Sequence, residues 1–155
     1  MMALILSDLA TTRREWRTFI ASLLQAEISL AEGSPDKAIQ FFEKTVLPIP
    51  FAMQEVIPLL GYNTPFLKDV LARAYAQKGD LDRAITEYEK LVTFDPNSRA
   101  RFLVYPELHY RLAKLYEKKG LNSKAIEQYR KFLDLWKDAD PGIPEVEEAK
   151  KRLSL

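Results

Sequence analysis

Residues 71–92 read LARAYAQKGDLDRAITEYEKLV, and the same pattern occurs twice more in the chain. QAEISLAEGSPDKAIQFFEKTV starts at Gln25, and LAKLYEKKGLNSKAIEQYRKFL starts at Leu112. Superposing Gly33, Gly79 and Gly120 pairs Ala26, Ala72 and Ala113; Ala38, Ala84 and Ala125; Ile39, Ile85 and Ile126; Phe42, Tyr88 and Tyr129; and Lys44, Lys90 and Lys131, without a gap. A register this dense marks an array of repeated supersecondary units rather than an accident of composition.

Each unit predicts two helices joined by a tight turn. Before the glycine, Leu67, Val70, Leu71, Ala74 and Tyr75 fall at helical spacing, as do Leu108, Leu112, Leu115 and Tyr116. The glycine ends that helix in the left-handed conformation, and Ser34 with Pro35, or Asp80, starts the next. In the second helix Ala84, Ile85, Tyr88, Leu91 and Val92 form an apolar stripe, with Arg83, Glu87 and Lys90 on the wet side. The alanines let two helices cross closely while the neighbouring tyrosine fills the adjacent hole.

Leucine, alanine and tyrosine on the first helix, glycine at the turn, alanine and tyrosine on the second, and Asp95-Pro96 closing the middle unit together resemble the tetratricopeptide repeat (TPR). The resemblance runs from about Phe19 to Trp136. It implies an all-α fold, a right-handed α-solenoid of three TPR-like helical hairpins with elongated linkers and a C-terminal capping helix. The repeats fall at about 19–47, 65–96 and 106–137 of a single domain spanning 1–155. The first departs most from the family pattern, since Gln25 and Ser29 stand where the others have leucine and tyrosine, although Leu23, Leu24, Ile28 and Leu30 supply an apolar face.

Gly33 and Gly79 lie 46 residues apart and Gly79 and Gly120 lie 41 apart, against a family period of about 34. The first surplus is an apolar insert at 48–64, punctuated by Pro48, Pro50 and Pro58, with room for a short helix from about Phe51 to Leu60. The second, NSRARFLVYPE, is expected to lengthen the following helix or form an elbow before Pro106. Lengthened repeats of this kind resemble TPR modules appended to bacterial regulatory or signalling proteins. Asp140-Pro141-Gly142 then breaks the chain, and residues 143–153 read as a cap helix, acidic early and basic late, that buries Val146, Ala149 and Leu153. At the other end Trp16, Phe19, Ile20, Leu23 and Leu24 predict a long first helix from near Ser7.

Composition narrows the function. Twenty-three basic and 22 acidic side chains leave a net charge of +1, which offers no field for nucleic acid or an anionic membrane. There is no cysteine, hence no disulfide framework, thiolate metal site or thiol nucleophile. The apolar opening MMALILSDLA lacks a basic lead and a cleavage site, and no apolar run is long enough to span a membrane. A cytoplasmic location is expected.

The expectation for chemistry is negative: no catalytic residue, no metal and no cofactor. His109 is the single histidine and stands at a packing position of the third repeat, and the five glycines are scattered turns rather than a phosphate loop. Glu145 and Glu148 have the spacing of a wet helix face. Lys114, Lys118, Lys119, Lys124, Arg130 and Lys131 make the third repeat locally basic, better read as a solvated face than as a nucleic-acid patch.

What the resemblance implies instead is a partner. In the family the first helices line a concave groove that takes a peptide or a helix. The side chains between the packing positions there are Glu27, Asp69, Arg73, Gln77, Tyr110, Arg111, Lys114 and Glu117. The family's clamp for chaperone tails needs lysine and asparagine where this chain has Leu23, Glu27 and Val70, and of Glu107 and Arg111 only Arg111 fits. A chaperone-tail binder is therefore disfavoured. Ile49, Phe51, Met53, Val56, Ile57, Leu59 and Leu60 exceed what one short helix buries, so the insert at 48–64 is expected to fold back on the repeats or to join copies in a homo-oligomer.

Overall fold

The computed structural model describes the backbone at residues 2–43, 69–93 and 105–154, with side chains from residue 17 onward within those ranges. The described residues hold seven helices and no strand: α1 (Met2–Ala31), α2 (Pro35–Glu43), α3 (Val70–Lys78), α4 (Leu81–Val92), α5 (Pro106–Lys118), α6 (Asn122–Leu135) and α7 (Pro144–Leu153). The insert at 48–64, with its expected helix from Phe51 to Leu60, lies outside the described residues. The chain divides into two compact units, 1–78 and 79–155. None of the described helices is long and apolar enough to cross a membrane.

In the first unit α1 turns back into α2 over three residues. Gly33 takes a φ of 72°. Its N–H bonds the Leu30 carbonyl at 3.1 Å, and the Ser34 N–H reaches the Ser29 carbonyl at 2.8 Å. This pair of bonds satisfies carbonyls that a helix end otherwise leaves orphaned. Ala26, Leu30, Ala38, Val70 and Ala74 then form one buried cluster, with Ile39, Phe41 and Phe42 packed against it. Ala26 and Ala38 have no exposed surface, so α1 and α2 meet almost backbone to backbone.

Two expectations for α1 need correction. The helix starts at Met2, ahead of Ser7. Its apolar residues also do not make one face: Leu23 and Leu30 are buried, whereas Leu24 and Ile28 are 54% and 55% exposed and Ile20 is 41% exposed. At about 100° per residue, Ile20, Leu24 and Ile28 sit on the opposite side of the helix from Ala26 and Leu30. Leu23, Ala26, Ser29 and Leu30 line the buried side, with Ser29 in place of the tyrosine of the other repeats.

The second unit repeats the design. Asp80 caps α4 by accepting the Arg83 N–H at 3.2 Å, and Ala84, Ile85 and Tyr88 are buried, with Leu91 and Val92 half-buried. The second linker does not lengthen α5. Tyr105 is extended and Pro106 opens the helix, because its ring favours the first turn and blocks an earlier start. At Gly120 the turn repeats that of Gly33, with Gly120 N–H to the Glu117 carbonyl at 2.9 Å and Leu121 N–H to the Tyr116 carbonyl at 2.8 Å. Leu108, Leu112, Ala113, Tyr129 and Phe132 form the core between α5 and α6. Gly142, at a φ of 88°, releases the chain into α7, which buries Val146 and Ala149 and half-buries Leu153.

A Cβ added at Gly120 would meet nothing within 4 Å, so Gly120→Ala tests conformation alone. It should cost about 1–2 kcal/mol, and Gly120→Asn less, in urea unfolding followed by circular dichroism.

Candidate functional site

The eight side chains expected to face a partner fall into two sets, one in each unit. In the first, Arg73 on α3 donates from Nη1 to Glu27 Oε2 at 3.0 Å and from Nη2 to Glu27 Oε1, a two-pronged pair with α1. Its Nε donates to Asp69 Oδ1 at 2.8 Å. Asp69 has no exposed surface, so it anchors Arg73 and has nothing to offer a ligand. Burial works to lower the pKa of the Arg73 guanidinium, but Glu27 and Asp69 outweigh it and the net shift is upward. Gln77 donates from Nε2 to the Leu30 carbonyl at 3.2 Å, at the end of α1.

In the second unit the set converges on α7. Tyr110 donates its hydroxyl to Glu148 Oε2 at 2.6 Å, and Lys114 pairs with Glu148 Oε1. Arg152 joins Glu148 at 3.7 Å and Glu117 at 3.3 Å. Glu117 also accepts the Tyr129 hydroxyl at 2.9 Å. Lys114 and then Tyr110, by bonding to the Glu148 carboxylate, hold its pKa below the usual range. Desolvation, followed by bonds to Glu148 and Glu117, pushes the Tyr110 and Tyr129 hydroxyls upward, so both are donors at any ordinary pH. Arg111 donates from Nη2 to Glu107 one turn away on the same helix at 3.3 Å, and its side chain is 39% exposed.

The structure thus reveals Glu148 and Arg152, which the sequence reading treated as cap surface, as the residues that engage Tyr110, Lys114 and Glu117. A second feature was hidden in the alignment. Asp36 pairs with Lys78 at 2.5 Å, and Asp82 pairs with Lys119. In each case the third residue after one turn glycine meets the residue just before the next. Lys124 lies 4.0 Å from Glu89 and over the Tyr116 ring, and Lys131 pairs with Glu127, so these lysines of the basic stretch face carboxylates.

His109 is buried, and its Nδ1 faces Gln128 Oε1 at 2.7 Å. An amide oxygen only accepts, so Nδ1 carries the proton. Desolvation lowers the pKa of the ring, the Gln128 bond opposes that, and Lys131 adds to the lowering. Leu23 and Val70, at two positions of the chaperone-tail clamp, are buried.

Turn glycines, fully buried alanines and paired first helices define a helical-hairpin repeat protein. Residues 72–135 carry tetratricopeptide repeats: one TPR repeat model matches residues 72–120 and a second tetratricopeptide repeat model matches 106–135. No curated protein matches the chain.

Two outcomes check these assignments. Arg73→Leu removes a charged partner of a buried carboxylate and should cost about 1.5–3 kcal/mol in urea unfolding, whereas Arg111→Leu, at a more exposed site, should cost under about 1 kcal/mol. The folded state lowers the pKa of His109 below that of the unfolded chain, so the unfolded chain binds the extra proton and stability falls as pH drops through the ordinary histidine range near 6.5. Urea midpoints between about pH 8 and 5.5 should fall more steeply for the wild type than for His109→Leu.

Proposed function

We propose that this TPR protein is a non-enzymatic interaction module, a scaffold or sensor domain, that takes a peptide or partner helix on the polar face of its first helices. TPR repeats generally mediate protein–protein interactions, and the expected groove face gives the reading its chemistry. The observation that carries it is the half-exposed charge on that face. Arg111, Lys114 and Glu107 keep 39%, 34% and 48% of their side-chain surface in water on α5, beside the hydroxyl of Tyr110. Ion pairs at this exposure contribute little each. A partner carboxylate can therefore meet the part of the Arg111 guanidinium that faces water on α5.

In the first unit Glu27, Arg73 and Gln77 are tied to one another or to α1, and their role under this reading is to hold the helices that present the binding face. The proposed organisation keeps repeats at 19–47, 65–96 and 106–137 with a cap at 143–153, and the proposed setting is cytoplasmic, without nucleic acid, membrane, cofactor or metal. A homo-oligomer joined through 48–64 rests on residues outside the described ranges.

Arg111→Glu tests the assignment. Partners captured from lysate by the wild-type protein are identified, and the affinity of the main one is measured for both proteins. Loss of tenfold or more with an unchanged unfolding midpoint supports the reading, and unchanged affinity overturns it.

A further inference from the structure

We infer that the outer face of α1 pairs with the α1 of a second copy, antiparallel and about a two-fold axis near Leu24. Ile20, Leu24 and Ile28 are 41%, 54% and 55% exposed, and they recur every four residues along one side of the helix. Single exposed apolar residues are ordinary on any surface, but three in an unbroken row on one helix face are the mark of a contact. Among the described residues the rest of that face is small or charged: Arg17, Ala21 and Ala31 are exposed and lie within the same arc at about 100° per residue, and the exposed Glu32 follows directly after the helix, its N–H on the Ile28 carbonyl at 2.9 Å. Ala21 and Ala31 let a second helix come close.

The charges select the occupant and its direction. Arg17 stands at one end of the row and Glu32 at the other. A second copy laid antiparallel puts Ile20 opposite its partner's Ile28, Leu24 opposite its partner's Leu24, and Arg17 within reach of its partner's Glu32, twice over. A parallel copy would set like charge against like charge at both ends. The antiparallel arrangement also opposes the two helix dipoles. A face that complements itself under a two-fold rotation is what an isologous dimer requires. The strip is one helix wide, so the dimer is weak and reversible. This surface lies on the opposite side of α1 from its buried residues, and it is distinct from the α5 face proposed for a peptide partner.

Light scattering and sedimentation across roughly 1 μM to 1 mM read the prediction. The wild-type mass should rise from one chain toward two with concentration. Leu24→Asp should stay at one chain throughout, with an unfolding midpoint equal to that of the wild type at about 1 μM, where both are single chains. Arg17→Glu should weaken association tenfold or more, and Arg17→Glu combined with Glu32→Arg should restore it, because the pairs re-form with sign exchanged. A wild-type mass of one chain at every concentration overturns the proposal. So does a lower unfolding midpoint in Leu24→Asp at about 1 μM, where neither protein is paired, which would mean that the row packs within its own chain. Association that the double exchange fails to restore overturns it as well.

Discussion

Close crossing of helices at alanine is the constraint on which the rest depends. Ala26, Ala38, Ala72, Ala84 and Ala113 show no exposed surface and Ala125 shows 2%. Each marks a point where a neighbouring element leaves room for a methyl group and little more. Any larger side chain there would push helices apart and open voids that interiors do not tolerate. Tyrosine and phenylalanine fill the spaces the alanines create, as Tyr88 and Tyr129 do from equivalent positions on α4 and α6. The left-handed glycines Gly33 and Gly120 serve the same geometry, because each sits in a three-residue turn that bonds carbonyls at the end of the first helix and returns the second.

Much of this was legible in sequence because alanine and glycine carry unambiguous local physics. The turns at Gly33, Gly79 and Gly120, the cap at Asp80, and the buried pair Val146 and Ala149 follow from spacing and steric demand alone. Where the reading missed, hydrophobicity was being asked to report direction. Leu24 and Ile28 looked like core because they are apolar, yet a helix with one short hairpin partner buries only one side. The start of α5 was likewise set by a single proline ring and not by the linker's composition.

The polar face was legible in position and not in pairing. Spacing placed Glu27, Arg73, Tyr110, Lys114 and Glu117 on first helices, but which carboxylate meets which cation depends on the packing of elements distant in sequence. Asp69 is the clearest case, since an acidic residue at the head of a helix ordinarily faces water, and here it is enclosed beside Arg73. Glu148 and Arg152 lie 34 or more positions from the side chains they join on α5, beyond the range of any local pattern. The match between Asp36–Lys78 and Asp82–Lys119 is different, because the repeat register itself encodes it.

That repeated aspartate–lysine bond gives each unit an uneven stiffness. Its members lie near the surface, with Asp36 and Asp82 side chains 75% and 77% exposed, where dissolved salt screens their attraction. The alanine contacts are incompressible and indifferent to ions. Within each unit, therefore, added salt loosens the charged seam and leaves the alanine contact in place, so the strength of one tie is set by the surrounding electrolyte and that of the other is not.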